Sequence, residues 1–146
     1  MLSTLFNSVN LLKPYEINKL DGGVLIQVSS HAKWRKASHL IAAEILNSLN
    51  ELDRPGYIVI DLTQNTPGIE DLVITFNSYV RGSRAWLRHP NLKEFVLITC
   101  AEAVQTKHKD MRKIQLGDIS IRIFNRLESA LTFVGQGANQ HTYLSF

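Results

Sequence analysis

Three short, apolar-rich segments, separated by helix-like stretches, constrain the fold of this chain more than any other feature. The segments are Tyr57–Leu62, Glu94–Thr99 and Ile119–Phe124. Strands with apolar residues on both faces are typical of the buried middle of a parallel sheet. Parallel neighbours also need a connection long enough to hold a helix. The alternation therefore predicts an α/β domain with parallel inner strands joined by right-handed crossovers.

An antiparallel hairpin is predicted at the N-terminal edge of this sheet. The sequence Asp-Gly-Gly at residues 21–23 separates two apolar-rich segments, Tyr15–Leu20 and Val24–Val28. Glycine allows the positive φ that a tight hairpin turn requires. The predicted fold is thus a mixed, mostly parallel sheet with an N-terminal edge hairpin and alternating helices.

Helices are predicted wherever apolar residues recur at spacings of three and four. In chain order these segments are residues 2–12, 30–52, 67–89, 102–115 and 126–134. The predicted N-caps are Ser29 or Ser30 for the second helix, Thr66 for the third and Asn125 for the last. Pro67 would take the first position of the third helix, where proline is favoured.

One domain accounts for the 146 residues, with an N-terminal amphipathic helix over 1–14, a core over 15–134 and a C-terminal tail over 135–146. A chain of this size can bury a core without disulfides or metals. The single cysteine, Cys100, favours a reducing compartment. No apolar run approaches the roughly 20 residues of a membrane span, and the N-terminus lacks the basic start of a secretory signal. We therefore expect a cytoplasmic protein without a transmembrane segment.

Positive charge is concentrated between residues 81 and 113, although the whole chain carries a net charge of only +3. The candidate basic surface consists of Arg81, Arg84, Arg88, Lys107, Lys109, Arg112 and Lys113. Such a surface can attract phosphate or nucleic acid. A solvated helix face is the favoured interpretation, and the neighbouring Trp86 is interpreted as a core or interface anchor. Nucleic acid is therefore not among the predicted partners.

No recognised catalytic, nucleotide-binding or metal-binding motif is present in the sequence. The histidines and the cysteine have no ligand-like spacing, so neither cofactor nor metal is predicted. Cys100 follows the strand Glu94–Thr99, and α/β folds place ligands at the carboxyl ends of strands. Cys100 with His89 or His108 is thus the one enzyme hypothesis. A buried structural thiol is the favoured interpretation.

Two sequence blocks resemble a known family. Residues 86–92 read W-L-R-H-P-N-L and residues 123–131 read I-F-N-R-L-E-S-A-L. They resemble the L-R-H-P-N-L and F-x-x-L-E-x-A-L blocks of the STAS-like (SpoIIAA-like) bacterial proteins, which are related to anti-sigma-factor antagonists. The resemblance covers roughly Tyr15–Val134. It implies a SpoIIAA-like fold and a non-enzymatic regulatory or scaffold role through protein–protein contact.

The resemblance also implies a partner or switch region after the strand Tyr57–Leu62. Antagonists of that family carry a D-S-S-G-like sequence there, whose serine is phosphorylated. Here residues 66–72 read T-P-G-I-E-D-L and contain no serine. Carboxylates at the helix start suit the helix dipole but repel an added phosphate. The candidate region therefore consists of Thr63, Thr66, Glu70 and Asp71, without an evident phosphoswitch.

Two other functions remain open from the sequence. The first is binding of a small apolar ligand or lipid in a pocket beside the sheet. The second is an unrecognised enzyme that uses Cys100. These stand beside the protein-binding module that the resemblance implies.

Both faces of the predicted sheet require cover, because the strand Glu94–Thr99 is apolar on each side. The helix over residues 2–12 is expected to provide the second cover, either on its own sheet or across a homodimer. Its apolar residues, with those of the tail, are Leu2, Leu5, Phe6, Val9, Leu12, Tyr143, Leu144 and Phe146.

Overall fold

The computed structural model describes residues 13–81, 85–100, 111–116 and 119–144. This part of the chain forms one six-stranded sheet and three helices. The strands are β1 Tyr15–Leu20, β2 Gly23–Val28, β3 Gly56–Asp61, β4 Leu92–Ile98, β5 Met111–Leu116 and β6 Ile119–Phe124. The helices are α1 Trp34–Glu51, α2 Ile69–Arg81 and α3 Leu127–Leu144.

The sheet has the strand order β1-β2-β3-β4-β6-β5. Its four inner strands, β2, β3, β4 and β6, run parallel, whereas the edge strands β1 and β5 are each antiparallel to their neighbour. Gly22 takes a φ of 86° in the turn between β1 and β2. The predicted mixed, mostly parallel α/β sheet with an N-terminal edge hairpin is therefore confirmed.

Helices α1 and α2 cover one face of the sheet, where aliphatic side chains from strands and helices interdigitate. Buried residues of this core include Ile26, Ile41, Ile45, Ile58, Ile60, Leu72 and Leu97. Two buried hydrogen bonds fix α2 against α1. The Nε1 of Trp34 donates to Oγ1 of Thr75 over 2.9 Å, and the Tyr79 hydroxyl donates to the Ser38 carbonyl over 2.9 Å. Burial raises the pKa of Tyr79.

Helix α3 covers the opposite face over β3, β4 and β6. Its core contains Tyr57, Val59, Val96, Ile98 and Phe124 from the strands with Ala130 and Val134 from the helix. The expectation that this face is covered is therefore confirmed here. Helix 2–12 and the tail side chains, which were expected to provide the cover, lie outside the described residues.

The predicted ends of two helices are wrong. Helix α3 continues past Gly135 to Leu144, and the cost of a glycine inside a helix is only roughly 1 kcal/mol. Helix α2 ends at Arg81 rather than before Pro90. The N–H of Leu87 donates back to the Tyr79 carbonyl over 3.1 Å.

The predicted helix over residues 102–115 is wrong for its last five residues. Residues 111–115 belong to β5, which pairs antiparallel with β6 and places Ile114 opposite Ile121. Only two residues, Gly117 and Asp118, connect Leu116 to Ile119. Such a connection is typical of a hairpin, and the spacing of Met111 and Ile114 had indicated a helix instead. Residues 101–110 lie outside the described part of the chain.

All three predicted helix caps are also wrong. For α3, the Ala130 N–H donates to the Arg126 carbonyl over 3.3 Å, so Arg126 and not Asn125 holds the cap position. Helix α1 begins at Trp34 with Lys33 in the cap position, and neither Ser29 nor Ser30 fills that role. The Ser29 hydroxyl donates instead to the Lys13 carbonyl over 3.0 Å, next to the start of β1.

The start of α2 lies two residues beyond the predicted Thr66 cap. The Leu72 N–H donates to the Gly68 carbonyl over 3.1 Å, and the carbonyl that accepts the first helical bond belongs to the cap residue. Gly68 therefore holds the cap position. Thr66 and Pro67 belong to the preceding loop, where Pro67 is buried.

The L-R-H-P-N-L block closes the carboxyl end of α1. The Asn91 Nδ2 donates to the carbonyls of Leu49 and Leu52 over 2.8 and 3.0 Å. The Asn91 N–H donates to Nδ1 of His89 over 3.0 Å, and Nε2 of that ring lies 2.7 Å from Oδ1 of Asn50. The block therefore supplies partners for carbonyls that a helix end leaves free.

Replacing Asn91 by alanine is expected to lower the free energy of unfolding by about 1–3 kcal/mol, because the helix-end carbonyls lose their donors. Asn77→Ala is the matched control, since Asn77 is exposed on α2 and should change stability by less than about 0.5 kcal/mol. Urea unfolding followed by circular dichroism measures both. Equal stability of the two variants would contradict this role of the block.

Candidate functional site

The predicted partner region lies at the carboxyl end of β3, in the loop to α2 and the first turn of that helix. Thr63, Thr66 and Glu70 are exposed. Asp71 is half-buried, and its Oδ1 accepts from Nη2 of Arg35 on α1 over 3.2 Å. The structure thus places three of the four candidate residues at the surface and uses the fourth to join two helices.

The β3–α2 loop is held by hydrogen bonds at several points. The Asn65 Nδ2 donates to the carbonyls of Ser29 and Ala32 over 2.9 and 2.8 Å. The buried Asp61 accepts from the Thr63 N–H over 2.9 Å and from Nε2 of Gln27 over 3.2 Å. An exposed loop fixed in this way loses little conformational entropy when it binds a partner.

A small polar cavity of about 340 Å³ lies beside this loop, at the carboxyl ends of β2 and β3. Its lining includes Gln27, Ser29, His31, Asp61, Thr63 and Gln64. Ligands of α/β folds commonly bind at this end of the sheet. Gln27 and Asp61 already bond to each other, and the Ser29 hydroxyl already donates to the Lys13 carbonyl.

The outer side of α2 carries two large apolar side chains that face solvent. Val73 is 48% exposed and Ile74 is 63% exposed, whereas Leu72 and Phe76 on the inner side are buried. Sequence reasoning missed this pair, because the predicted helix over residues 67–89 was not divided into a buried and an exposed side. Three consecutive apolar residues at 72–74 were the available signal, since one helix side cannot bury all three.

The candidate basic surface is not assembled into one patch by the described residues. Arg81 ends α2, at the amino end of the sheet, and Arg88 is exposed in the turn before β4. Arg112 and Lys113 are consecutive positions of β5, opposite Ile123 and Arg122 of β6. Arg84, Lys107 and Lys109 lie outside the described residues.

Cys100 is exposed, so the interpretation as a buried thiol is wrong. Its Sγ lies 3.8 Å from the Asn125 carbonyl, at the carboxyl end of β4. His89 precedes β4, and a seven-residue strand separates the two by about 23 Å. His89 therefore cannot act as a base for this thiol, and His108 lies outside the described residues.

A larger cavity, of about 1030 Å³, opens at the amino end of the sheet. The β1–β2 turn, the last turns of α1 and the loop before β3 line it. Ile17, Leu20 and Leu52 supply apolar surface there. Lys93 stands over the Tyr57 ring with its Nζ 5.2 Å from the centroid. The volume of this cavity is close to the upper limit for small-molecule sites, which is roughly 1,000 Å³.

Other site types are not seen in the described part of the chain. No group of three or more His, Cys, Asp or Glu residues is placed there to hold a metal ion. None of its helices has the length and apolar character to cross a membrane. The chain matches no family model, no curated protein and no solved structure.

Proposed function

We propose that this protein is a non-enzymatic, STAS-like regulatory or scaffold module that binds a protein partner through α2 and the loop before it. The binding area, the α2 surface, consists of Val73 and Ile74 with Glu70, Thr66 and Thr63. The observation that carries the proposal is the exposure of Val73 and Ile74 side by side on one helix. Exposed apolar side chains with a polar rim are typical of protein interfaces.

The support beneath the α2 surface favours binding over a chance exposure. Hydrogen bonds from Trp34 and Tyr79 fix α2 to α1, and the Arg35–Asp71 ion pair adds a contact at its first turn. An exposed ion pair contributes little stability by itself. A helix held rigidly in this way presents its outer side chains at a low entropic cost, which strengthens association.

The residues of the loop and of the helix start also indicate that partner binding does not depend on a phosphorylated serine. The loop offers the hydroxyls of Thr63 and Thr66, both exposed, and the helix start carries the carboxylate of Glu70. A phosphate added to this loop would face the like charge of Glu70 at the helix start. We therefore propose that the partner recognises the unmodified surface.

Replacing the apolar pair by charged residues tests the proposal. The variant Val73→Lys with Ile74→Lys is expected to weaken partner capture from native lysate by at least about tenfold, because it desolvates two cations at the interface centre. Leu40→Lys on α1 is the matched control, since Leu40 is 51% exposed and lies outside the α2 surface. Quantitative mass spectrometry of the captured proteins measures the ratio. Equal capture by both variants would overturn the proposal.

The 1030 Å³ cavity supports a second candidate, binding of a small apolar ligand or lipid. Its aliphatic lining could hold an acyl chain while Lys19 or Lys93 faces a polar head. Native mass spectrometry of the purified protein is expected to show a retained ligand that Leu52→Arg expels. A spectrum with protein alone, unchanged after incubation with fatty acid, would contradict this candidate.

A further inference from the structure

The outer edge of β1 carries, in a regular order, backbone groups that no other described residue pairs with. The Ser29 N–H donates to the Pro14 carbonyl over 2.9 Å, which makes residues 14 and 29 a hydrogen-bonded pair. Such pairs alternate along an antiparallel ladder. Glu16, Asn18 and Leu20 therefore direct their backbone groups to β2. Those of residues 15, 17 and 19 point to the open edge.

The side chains at these three positions lie on the same face of the sheet as α1. Tyr15, Ile17 and Lys19 pair with β2 residues of the core beneath α1 and α2. Ile17 is 37% exposed. The Tyr15 hydroxyl bonds to Glu44 of α1, and burial, this bond and the Glu44 charge raise the pKa of Tyr15 to about 12. A carboxylate thus lies beside the first of the three positions.

This edge is complementary to itself in one antiparallel register. A two-fold axis perpendicular to the sheet can place Ile17 opposite its own copy, and Tyr15 then lies opposite Lys19 of the second copy. The facing pairs formed by Tyr15, Ile17 and Lys19 are then of the hydrogen-bonded type, which exchange two bonds each. Lys19 of each copy comes beside the Tyr15–Glu44 pair of the other. Opposite charges therefore meet at both ends of the pairing.

Two features that oppose such pairing are missing from β1. Edge strands that must remain unpaired commonly contain proline, a bulge or inward-pointing charges. The six residues of β1 contain neither proline nor a bulge, since their sequence is Y-E-I-N-K-L and their ladder with β2 is unbroken. The one charge on the α1 face, Lys19, meets Glu44 of the second copy in the proposed pairing. The two charges of β1, Glu16 and Lys19, are of opposite sign.

We propose that β1 pairs antiparallel with β1 of a second copy of this chain, centred on Ile17, to form a homodimer with one continuous sheet. The pairing uses none of the residues of the α2 surface. The dimer proposal can therefore be tested independently of partner binding.

Disulfide trapping tests the register directly. In a Cys100→Ser background, Ile17→Cys places two thiols on a facing hydrogen-bonded pair, whose Cα atoms lie about 5.5 Å apart and within disulfide range. The control Asn18→Cys has its two copies on a diagonal of about 7–8 Å, which is too far. Mild oxidation is expected to cross-link only the first variant. Cross-linking of neither, or of both at the same rate, would overturn the register.

A charge swap tests the contact at the ends of the pairing. Lys19→Glu is expected to raise the dimer dissociation constant at least about tenfold, because it sets a carboxylate against Glu44 of the second copy. Lys19→Glu with Glu44→Lys should restore the dimer. Light scattering over a concentration series distinguishes the 16.5 kDa chain from twice that mass. A monomeric native protein, or a dimer indifferent to Lys19→Glu, would overturn the proposal.

Discussion

Replacing Trp86 by alanine is expected to lower the free energy of unfolding by about 3–5 kcal/mol, the cost of truncating a large buried aromatic side chain. Trp86 is fully buried. Its ring centroid lies 5.0 Å from that of Tyr79 and 4.9 Å from that of Phe95, the latter edge-on. Removing it leaves a cavity between α2 and β4 that two other aromatic rings border. Urea unfolding at constant pH measures the loss.

A pair of tryptophan-to-phenylalanine variants serves as the control. The Nε1 of Trp86 has no hydrogen-bond partner among the described residues, whereas that of Trp34 donates to Thr75. Trp86→Phe should therefore cost less than Trp34→Phe, which loses a buried bond as well as volume. If the free energy of unfolding of Trp86→Ala were less than about 1 kcal/mol below that of the native protein, the burial of Trp86 in the core would be contradicted.

Replacing Gly23 by alanine is the second large effect, with an expected loss of about 1–3 kcal/mol or more. A Cβ at Gly23 would lie 2.4 Å from the backbone carbonyl oxygen of Tyr57. The first residues of β2 and β3 approach each other there, and Tyr57 is bound through its N–H to the Gly22 carbonyl. Because the obstacle is backbone, the two strands must separate to admit the methyl group.

Gly135→Ala is the matched control for that substitution. A Cβ at Gly135 meets no atom within 4 Å, and the residue lies inside α3. Alanine there should raise the free energy of unfolding by about 0.5–1 kcal/mol through helix propensity. The two glycine variants are thus expected to change thermal stability in opposite directions. A shift of the same sign in both would contradict the tight strand contact or the extent of α3.

The parts of the fold that the sequence predicted are those in which burial sets a local pattern. The apolar runs of β3 and β4 are typical of inner strands, and the Asp-Gly-Gly turn at residues 21–23 indicates the hairpin of β1 and β2. Strand β5 was mistaken for helix because an edge strand needs little apolar surface. Helix α3 was predicted to end at Gly135 because a glycine after an apolar helical pattern is a common helix stop.

The candidate site was predictable in position but not in composition. The resemblance placed Thr63, Thr66, Glu70 and Asp71 beside the start of α2, and the structure leaves the first three exposed. The resemblance could not show that Asp71 pairs with Arg35, because that contact joins residues 36 positions apart. The exposure of Ile74 also depends on how α2 is rotated against α1, which tertiary contacts determine.

Photo-crosslinking from the α2 surface tests the central claim most directly. A photoreactive amino acid replaces Ile74 in one variant and Leu40 in the other, both more than half exposed, and the proteins are irradiated in their native cells. We predict a discrete cross-linked protein from position 74 that is absent from position 40 and is lost when Val73→Lys is added. No product from position 74, or the same products from both positions, would contradict partner binding through this surface.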